Sequence, residues 1–195
     1  AHELGHAYFD LPDLYDTTSA SSGIGAFGVM GGGVWGYKAL TEKIGSTPVH
    51  FSAWSKEKLG VCNPQTVSSG ADNYTLAAVY QMIDNTSSCG IYKASTTTYS
   101  TSGEYFLFEN RSAGGYDKGL NYLIYDNSSS EVVGTKYTGG LAVWHIDDNQ
   151  SGNSDYTHKL VDLEEANDAD LDNASSNGRT THLFYSGNSV TFDNS

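Results

Sequence analysis

The chain has 195 residues and carries ten Lys plus Arg against 23 Asp plus Glu, which gives a formal net charge of −13. Such an acidic chain repels nucleic acid and anionic membrane surfaces, and no apolar run approaches the ~20 residues that a membrane-spanning helix needs. The hydrophobic share of 38%, with 14 Tyr, is typical of a folded domain and excludes a disordered chain.

The first predicted element is a helix over residues 1 to 9, which Pro12 and the acidic stretch after it bring to an end. This helix carries His2, Glu3 and His6 in an H-E-x-x-H pattern. Residues four apart share one helix face, so both imidazoles can reach one metal ion with Glu3 beside it. The pattern therefore predicts a zinc peptidase site with Glu3 as general base. A helix that merely carries two histidines is the alternative.

Two further elements follow before the first cysteine. Residues 17–36 are rich in glycine and predict a structured loop with Met30 in its middle. Residues 48–59 predict a short amphipathic helix, because Pro48 stands near its start and Gly60 follows its end. Cys62 and Cys89 can close one disulfide, which suits an exported protein; two unpaired buried thiols are the alternative.

The amino-acid composition of the chain changes after Cys62. Short runs rich in β-branched and aromatic residues alternate there with clusters of Asn, Gly and Ser, which predicts an antiparallel, mostly β module. The predicted strands are residues 74–80, 90–95, 104–110, 121–126, 131–137, 141–147 and 182–185. With a boundary near residues 63–69, the predicted fold is α+β: a helical and loop-rich part over 1–65, then a β-rich, sandwich-like domain over 66–195.

Four segments, in this order, resemble the immune inhibitor A-like family of secreted bacterial zinc metallopeptidases: HELGHAYFDLPDLYD, GVMGGGVW, PVHFSAWSKEKLG, and EYFLFENR with GYD and GGLAVWHIDD after it. The resemblance spans most of residues 1 to 165. It implies a secreted endopeptidase that acts on protein or peptide substrates with one catalytic zinc ion, often with structural calcium. It also implies that residues 1–65 are the C-terminal part of the catalytic domain, and because the chain starts one residue before His2 we expect it to be a fragment.

The same resemblance points to the remaining site residues. In much of the family a short turn through glycine leads to an aspartate six residues after the second histidine. Here Phe9 stands at the glycine position and Pro12 at the aspartate position, so the turn is one residue longer. Aligning LPDLYD makes Asp13 the expected third zinc ligand, with Asp10 and Asp16 as alternatives that capping or calcium binding would also explain.

Two other roles are expected around the metal. Met30 looks like the methionine of the turn beneath the zinc site in metzincin-type peptidases, where its role is packing. Peptide hydrolysis also needs a donor for the developing oxyanion, and Tyr37, His50 and Tyr15 are the candidates. We favour His50 as a catalytic residue because it lies in the matching PVHFSAW segment; a half-buried structural histidine is the alternative.

Calcium is the second expected metal, because carboxylate oxygens cluster in two places. One cluster has Asp168, Asp170 and Asp172 at alternate positions, but a calcium loop would need Gly at Asn173 and Glu at Arg179. The other cluster contains Asp147, Asp148, Asn153, Glu164 and Glu165. We expect structural Ca²⁺ in the chain without assigning it to either cluster, and we expect His145 and His158 to be hydrogen-bonded structural residues.

The sequence thus favours a zinc-dependent endopeptidase in which His2, His6 and Asp13 hold the metal and Glu3 activates water. The alternative function is a non-catalytic, β-rich binding or stabilising module that carries a vestigial zinc site. Cleavage specificity and oligomeric state leave no signal in the sequence, since pocket shape is a tertiary property.

Overall fold

The computed structural model describes residues 1–67, 73–81, 89–95, 103–126, 131–167, 170–173, 176–188 and 191–192. Its α-helices are α1 (His2–Phe9) and α2 (Ala53–Lys58), and its strands are β1 (Gln65–Thr66), β2 (Tyr92–Ala94), β3 (Glu104–Asn110), β4 (Leu141–Asp147) and β5 (Val161–Glu164). Short 3₁₀ helices lie at Gly32–Trp35, Val79–Gln81, Gly115–Tyr122, Gly134–Lys136, Asp170–Asp172 and Thr180–His182. Within these ranges no helix has both the length and the apolar character needed to cross a membrane.

The five strands form one sheet in the order β1-β2-β3-β4-β5. The β1 and β2 strands are parallel, and every other neighbouring pair is antiparallel. Strands β3 and β4 pair over their full length, from Glu104 opposite Asp147 to Asn110 opposite Leu141. A few short helices beside a mostly antiparallel sheet confirm the predicted α+β class.

The main hydrophobic core lies on one face of this sheet. It contains Phe27 of the glycine-rich loop, Trp54 of α2, Trp144 of β4 and Leu183 near the C-terminus, so residues from both predicted parts of the chain share it. A smaller cluster around Phe106 and Val143 covers the other face. Cys62 and Cys89 are joined by a disulfide, with their Cα atoms 5.3 Å apart. The division at residue 65 into two domains stays a prediction.

Both predicted helices are present, but the second is shorter than expected. It begins at Ala53, where the Ser52 hydroxyl accepts a hydrogen bond from the Ser55 N–H as an N-cap. The residues before it are instead extended along the glycine-rich loop, because Val49 N–H donates to Gly33 and the His50 carbonyl accepts from Val29 N–H. His50 therefore lies on this extended segment and not on a helix.

Four of the predicted strands are wrong. Residues 74–80, 121–126, 131–137 and 182–185 form single bridges or 3₁₀ turns in place of ladders. Their apolar residues, such as Ile124 and Val133, are nevertheless buried in the main core. Alternating hydrophobicity indicates that one side of the backbone is buried. Here that side is buried by packing, without pairing to a neighbouring strand.

Candidate metal centre

Helix α1 presents its two histidines on one face. The Nε2 atoms of His2 and His6 lie 3.1 Å apart, as the spacing of four residues predicts. Between them Gly5 is buried against Met30, and a Cβ atom added to Gly5 would lie 2.7 Å from the Met30 sulfur. Met30 is itself fully buried, so this sulfur packs directly beneath the helix turn that carries the histidines.

A sharp turn after α1 brings the chain back towards the histidines. Asp10 ends the helix in the left-handed conformation (φ 51°), and Leu11 N–H returns to the Gly5 carbonyl at 3.2 Å. Leu14 N–H then donates to the Met30 carbonyl at 2.9 Å. The residue in the left-handed conformation is thus Asp10, one position after Phe9.

This turn places Asp13 beside His2 and His6. Its Oδ1 atom lies 3.2 Å from His2 Nε2 and 3.1 Å from His6 Nε2. Each histidine donates its other ring N–H to a backbone carbonyl, His2 Nδ1 to Val29 at 2.8 Å and His6 Nδ1 to Leu11 at 2.6 Å. A carbonyl can only accept, so each ring carries a proton on Nδ1, and in a neutral ring Nε2 then presents its lone pair.

When both rings are neutral, three acceptor atoms therefore face one another. The Asp13 Oδ1 atom is buried and accepts no hydrogen bond from any residue that the structure describes. Ligands 2.0 to 2.1 Å from a tetrahedral zinc ion lie about 3.3 Å from each other, close to the three distances seen here. The donor set of two imidazoles and one carboxylate, with backbone partners that orient both rings, fits a zinc ion.

The two alternative ligands lie elsewhere. Asp10 forms the helix end described above. Asp16 is buried, and its carboxylate accepts hydrogen bonds from Thr18, Ala20 and Ser21, which lower its pKa and hold the start of the glycine-rich loop. Of the three candidate aspartates, only Asp13 is grouped with the histidines.

Glu3 and Tyr15 flank the same centre. Glu3 is exposed on α1, directly after His2. The nearby Asp13 carboxylate, followed by partial burial and the negative charge of Glu3, raises the pKa of Tyr15. The Glu3 carboxylate is thus close enough to Tyr15 to act on it electrostatically.

His50 and Tyr37 have other surroundings. The His50 Nε2 atom is buried without a hydrogen-bond partner among the described residues, and it lies beside Gly115 and Tyr80. Burial lowers the pKa of His50 to about 4, so its ring is neutral near pH 7. His50 also lines a cavity of about 470 Å³ that reaches Ala1, next to His2. Tyr37 stacks on Tyr122 at 5.4 Å between ring centroids, which makes it a packing residue.

A buried ionic network supports the segments around the centre. Arg111 forms a two-pronged ion pair with Asp117 and donates to the Phe27 carbonyl in the glycine-rich loop. Asp117 also accepts from the His50 backbone N–H at 3.2 Å. Burial alone would raise the pKa of Asp117, but Arg111 holds it below its ordinary value. The carboxylate stays charged and bonded, as a buried charge must.

The carboxylates considered for calcium bind protein groups instead. Asp147 accepts from Asn149 and Gln150 and pairs with His158, while Asp148 pairs with Lys58. The remaining members are likewise engaged: Asn153 with backbone groups, Glu164 with His145, Glu165 with Leu171 N–H, Asp170 with Arg179 and Asp172 with Lys159. Asp168 lies outside the described residues. The expected calcium ion has no support here.

A second group of metal-ligating residue types, Glu104, Asp147 and His158, also has close ligand atoms. Its central residue Asp147 already has the amide and imidazole donors named above. Burial alone would raise the pKa of Asp147, but these donors hold it below its ordinary value. His145 lies between Glu104 and Glu164, at 3.4 and 3.5 Å, as a structural ion-paired histidine.

Sequence patterns could not indicate several contributors to the centre. The carbonyls of Val29 and Leu11 set the histidine tautomers, but a backbone carbonyl has no residue signature. Asn153, assigned above to a calcium cluster, in fact contacts the Asp13 segment. A fully buried asparagine between two strands leaves no pattern in the sequence that could have revealed this contact.

Comparison with known proteins gives one match. A family model described as the immune inhibitor A peptidase M6, catalytic domain, matches residues 1–62. This segment contains His2, Glu3, His6, Asp13 and the glycine-rich loop, and it supports relationship to a family of metallopeptidases that generally use zinc. No curated protein and no solved structure matches the chain.

Proposed function

We propose that the chain is part of a secreted zinc metalloendopeptidase in which His2, His6 and Asp13 hold the metal. The supporting observation is the set of three acceptor atoms within 3.1 to 3.2 Å of one another, one of them a buried carboxylate oxygen without a hydrogen bond. When the rings are neutral, the three lone pairs repel one another, and a cation among them removes this repulsion. The family match over the same residues agrees with this assignment.

Zinc bound there supplies Lewis-acid polarisation of a peptide carbonyl and of a water molecule. Glu3 is the general base in this proposal: its exposed carboxylate takes the proton of the attacking water and delivers it to the leaving nitrogen of the scissile peptide. Tyr15 acts on the same carboxylate at close range and would support the third ligand, as groups behind metal ligands commonly do.

His50 has a supporting role in the proposed mechanism. Its imidazole is neutral near pH 7 and lines the cavity next to Ala1, so it suits hydrogen-bond donation to a substrate carbonyl without proton transfer. Because its Nε2 atom is covered by Gly115 and Tyr80, Nδ1 is the atom that would make this contact.

The alternative is a module that binds zinc but hydrolyses nothing. It is favoured by the match covering only residues 1–62, about a third of the chain. Both functions predict a zinc ion at the same three residues, so turnover alone separates them.

Zinc content and proteolysis test the proposal together. We expect about one zinc ion per chain, loss of it in His6→Ala, and at least tenfold weaker binding in Asp13→Asn. The matched controls Asp10→Asn and His158→Ala should retain zinc. If the Asp13 and Asp10 variants bind zinc equally, the assigned ligand set is wrong.

Casein hydrolysis with and without a chelator then addresses catalysis. Glu3→Gln should keep its zinc and lose at least about 100-fold in rate, the usual contribution of a general base. Full activity of this variant would exclude Glu3 as the base. Zinc binding without hydrolysis, both in this chain and in a protein extended at its N-terminus, would favour the non-catalytic module.

A further inference from the structure

The segment that carries Asp13 has no regular secondary structure, so tertiary contacts must hold it in place. Its next residue, Leu14, is fully buried and accepts hydrogen bonds at its carbonyl from two directions. One donor is Ile24 N–H at 3.0 Å, from the glycine-rich loop. The other is the side-chain amide of Asn153 at 3.0 Å, a residue 139 positions away along the chain.

Asn153 lies in the connection between β4 and β5 and is only 1% exposed. Besides donating to Leu14, its amide nitrogen donates to the Val161 carbonyl at 2.7 Å, and its Oδ1 accepts from Val161 N–H at 3.0 Å. Both amide protons and the oxygen are therefore used. No other side chain of this size offers two donors and one acceptor in this arrangement, since Asp lacks the donors and Leu lacks all three groups.

Two further contacts join the same segments. The hydroxyls of Thr17 and Ser154 are hydrogen-bonded at 2.6 Å. A polar cleft of about 270 Å³ separates the two segments elsewhere, with Asp13 and Gln150 among its lining residues. The β4–β5 connection thus touches the third-ligand segment at defined points and is itself closed by Leu160 N–H donating to the Gly152 carbonyl at 3.1 Å.

We propose that Asn153 is a positioning residue for the metal centre, which ties the Asp13 segment to the first residue of β5. This inference rests on the proposed zinc site and extends it beyond residues 1–62, into the sheet. Its physical basis is that Asp13 can join the histidines only while Leu14 stays fixed. Without the amide, the Leu14 carbonyl loses one of two donors and the segment gains freedom that zinc binding must then remove.

The test compares two asparagines in different places that each donate to two backbone carbonyls; Asn153 is buried and Asn188 is half-buried. Like Asn153, Asn188 donates to two backbone carbonyls, those of Thr181 at 2.9 Å and Leu183 at 2.8 Å, but it lies near the C-terminus. Asn153→Asp and Asn188→Asp each remove two such bonds. Zinc affinity of the metal-free proteins is measured by chelator competition, and thermal unfolding of the same samples without zinc is measured separately.

We expect both variants to unfold at a lower temperature, but only Asn153→Asp to bind zinc more weakly, by about tenfold to 100-fold. In addition, the Co²⁺ absorption spectrum of Asn153→Asp should differ from that of the unaltered protein, since the Asp13 ligand is displaced. Equal zinc affinities for the two variants would overturn the inference. If the unaltered protein does not bind zinc, the zinc site itself is wrong, and this inference falls with it.

A milder variant covers the case in which Asn153→Asp does not fold. Thr17→Val removes the exposed hydroxyl bond to Ser154 and leaves the core unchanged. It should weaken zinc binding by about twofold to tenfold, the usual range for one net hydrogen bond, at nearly unchanged unfolding temperature. Unchanged affinity in Thr17→Val, with Asn153→Asp unfolded, would count against the inference.

Discussion

The Nε2 atoms of His2 and His6 face each other at 3.1 Å, and in neutral rings with the proton on Nδ1 both atoms are acceptors. Both rings are held in this state from behind, by the carbonyls of Val29 and Leu11. The arrangement is unfavourable in a protein without a cation and favourable in one that binds a cation.

The first prediction follows from this relationship: zinc should stabilise the protein. At a free zinc concentration 100 times the dissociation constant, the free energy of unfolding should rise by about 2.7 kcal/mol, because the folded state alone offers the three ligands together. Denaturant unfolding with and without zinc measures the gain. His6→Ala should show none of it and His158→Ala all of it; an equal gain in both variants would place the zinc elsewhere.

The second prediction concerns the contact between Gly5 and Met30. Gly5→Ala puts a Cβ atom 2.7 Å from the Met30 sulfur and should destabilise the protein by about 1–3 kcal/mol. This clash outweighs the ~1 kcal/mol that alanine gains in helix propensity. Met30→Ala removes the clashing atom, so the double variant should lose at least ~0.5 kcal/mol less than the sum of the two single losses. Additive losses, measured by denaturant unfolding, would refute the contact, and exposed Leu4→Ala is the neutral control.

The third prediction is a pH dependence caused by His50. Burial lowers its pKa from 6.5 to about 4, so between these values the unfolded chain binds more protons than the folded one. Stability should therefore fall as the pH falls from 6.5 to 4, by about 2–3 kcal/mol from this residue. His50→Gln should show a flatter profile over this window. An unchanged slope in His50→Gln would mean that the ring is not buried in solution.

The fourth prediction has the opposite sign and concerns Glu164. Burial, followed by the charges of Asp162 and Asp172, raises its pKa from 4.5 to about 7. Its contribution to stability is therefore complete below pH 4.5 and is lost as the pH rises through 7. Glu164→Gln should match the unaltered protein near pH 4.5 and exceed its stability by about 1–2 kcal/mol at pH 8. A Glu164→Gln protein with no gain at pH 8 would contradict the raised pKa.

The sequence alone determined the features that depend on neighbours along the chain. A spacing of four residues is one helix turn, so α1 and the pairing of His2 with His6 could be predicted without knowing any other part of the fold. The long alternating segments that became β3 and β4 were predicted because each is long enough to form a full ladder. Because the chain has two cysteines, the sequence allows one intramolecular disulfide, and the structure contains it.

Only the tertiary structure decided which aspartate joins the histidines, because the helix ends at Asp10 and the direction of the following turn depends on contacts with Met30 and Ile24. For the same reason the shorter alternating segments could not be told apart from strands, since a strand exists only where a partner strand is available to accept its hydrogen bonds. The histidine tautomers depend on two carbonyls, and the position of Leu14 depends on Asn153, at distances along the chain that no local pattern spans.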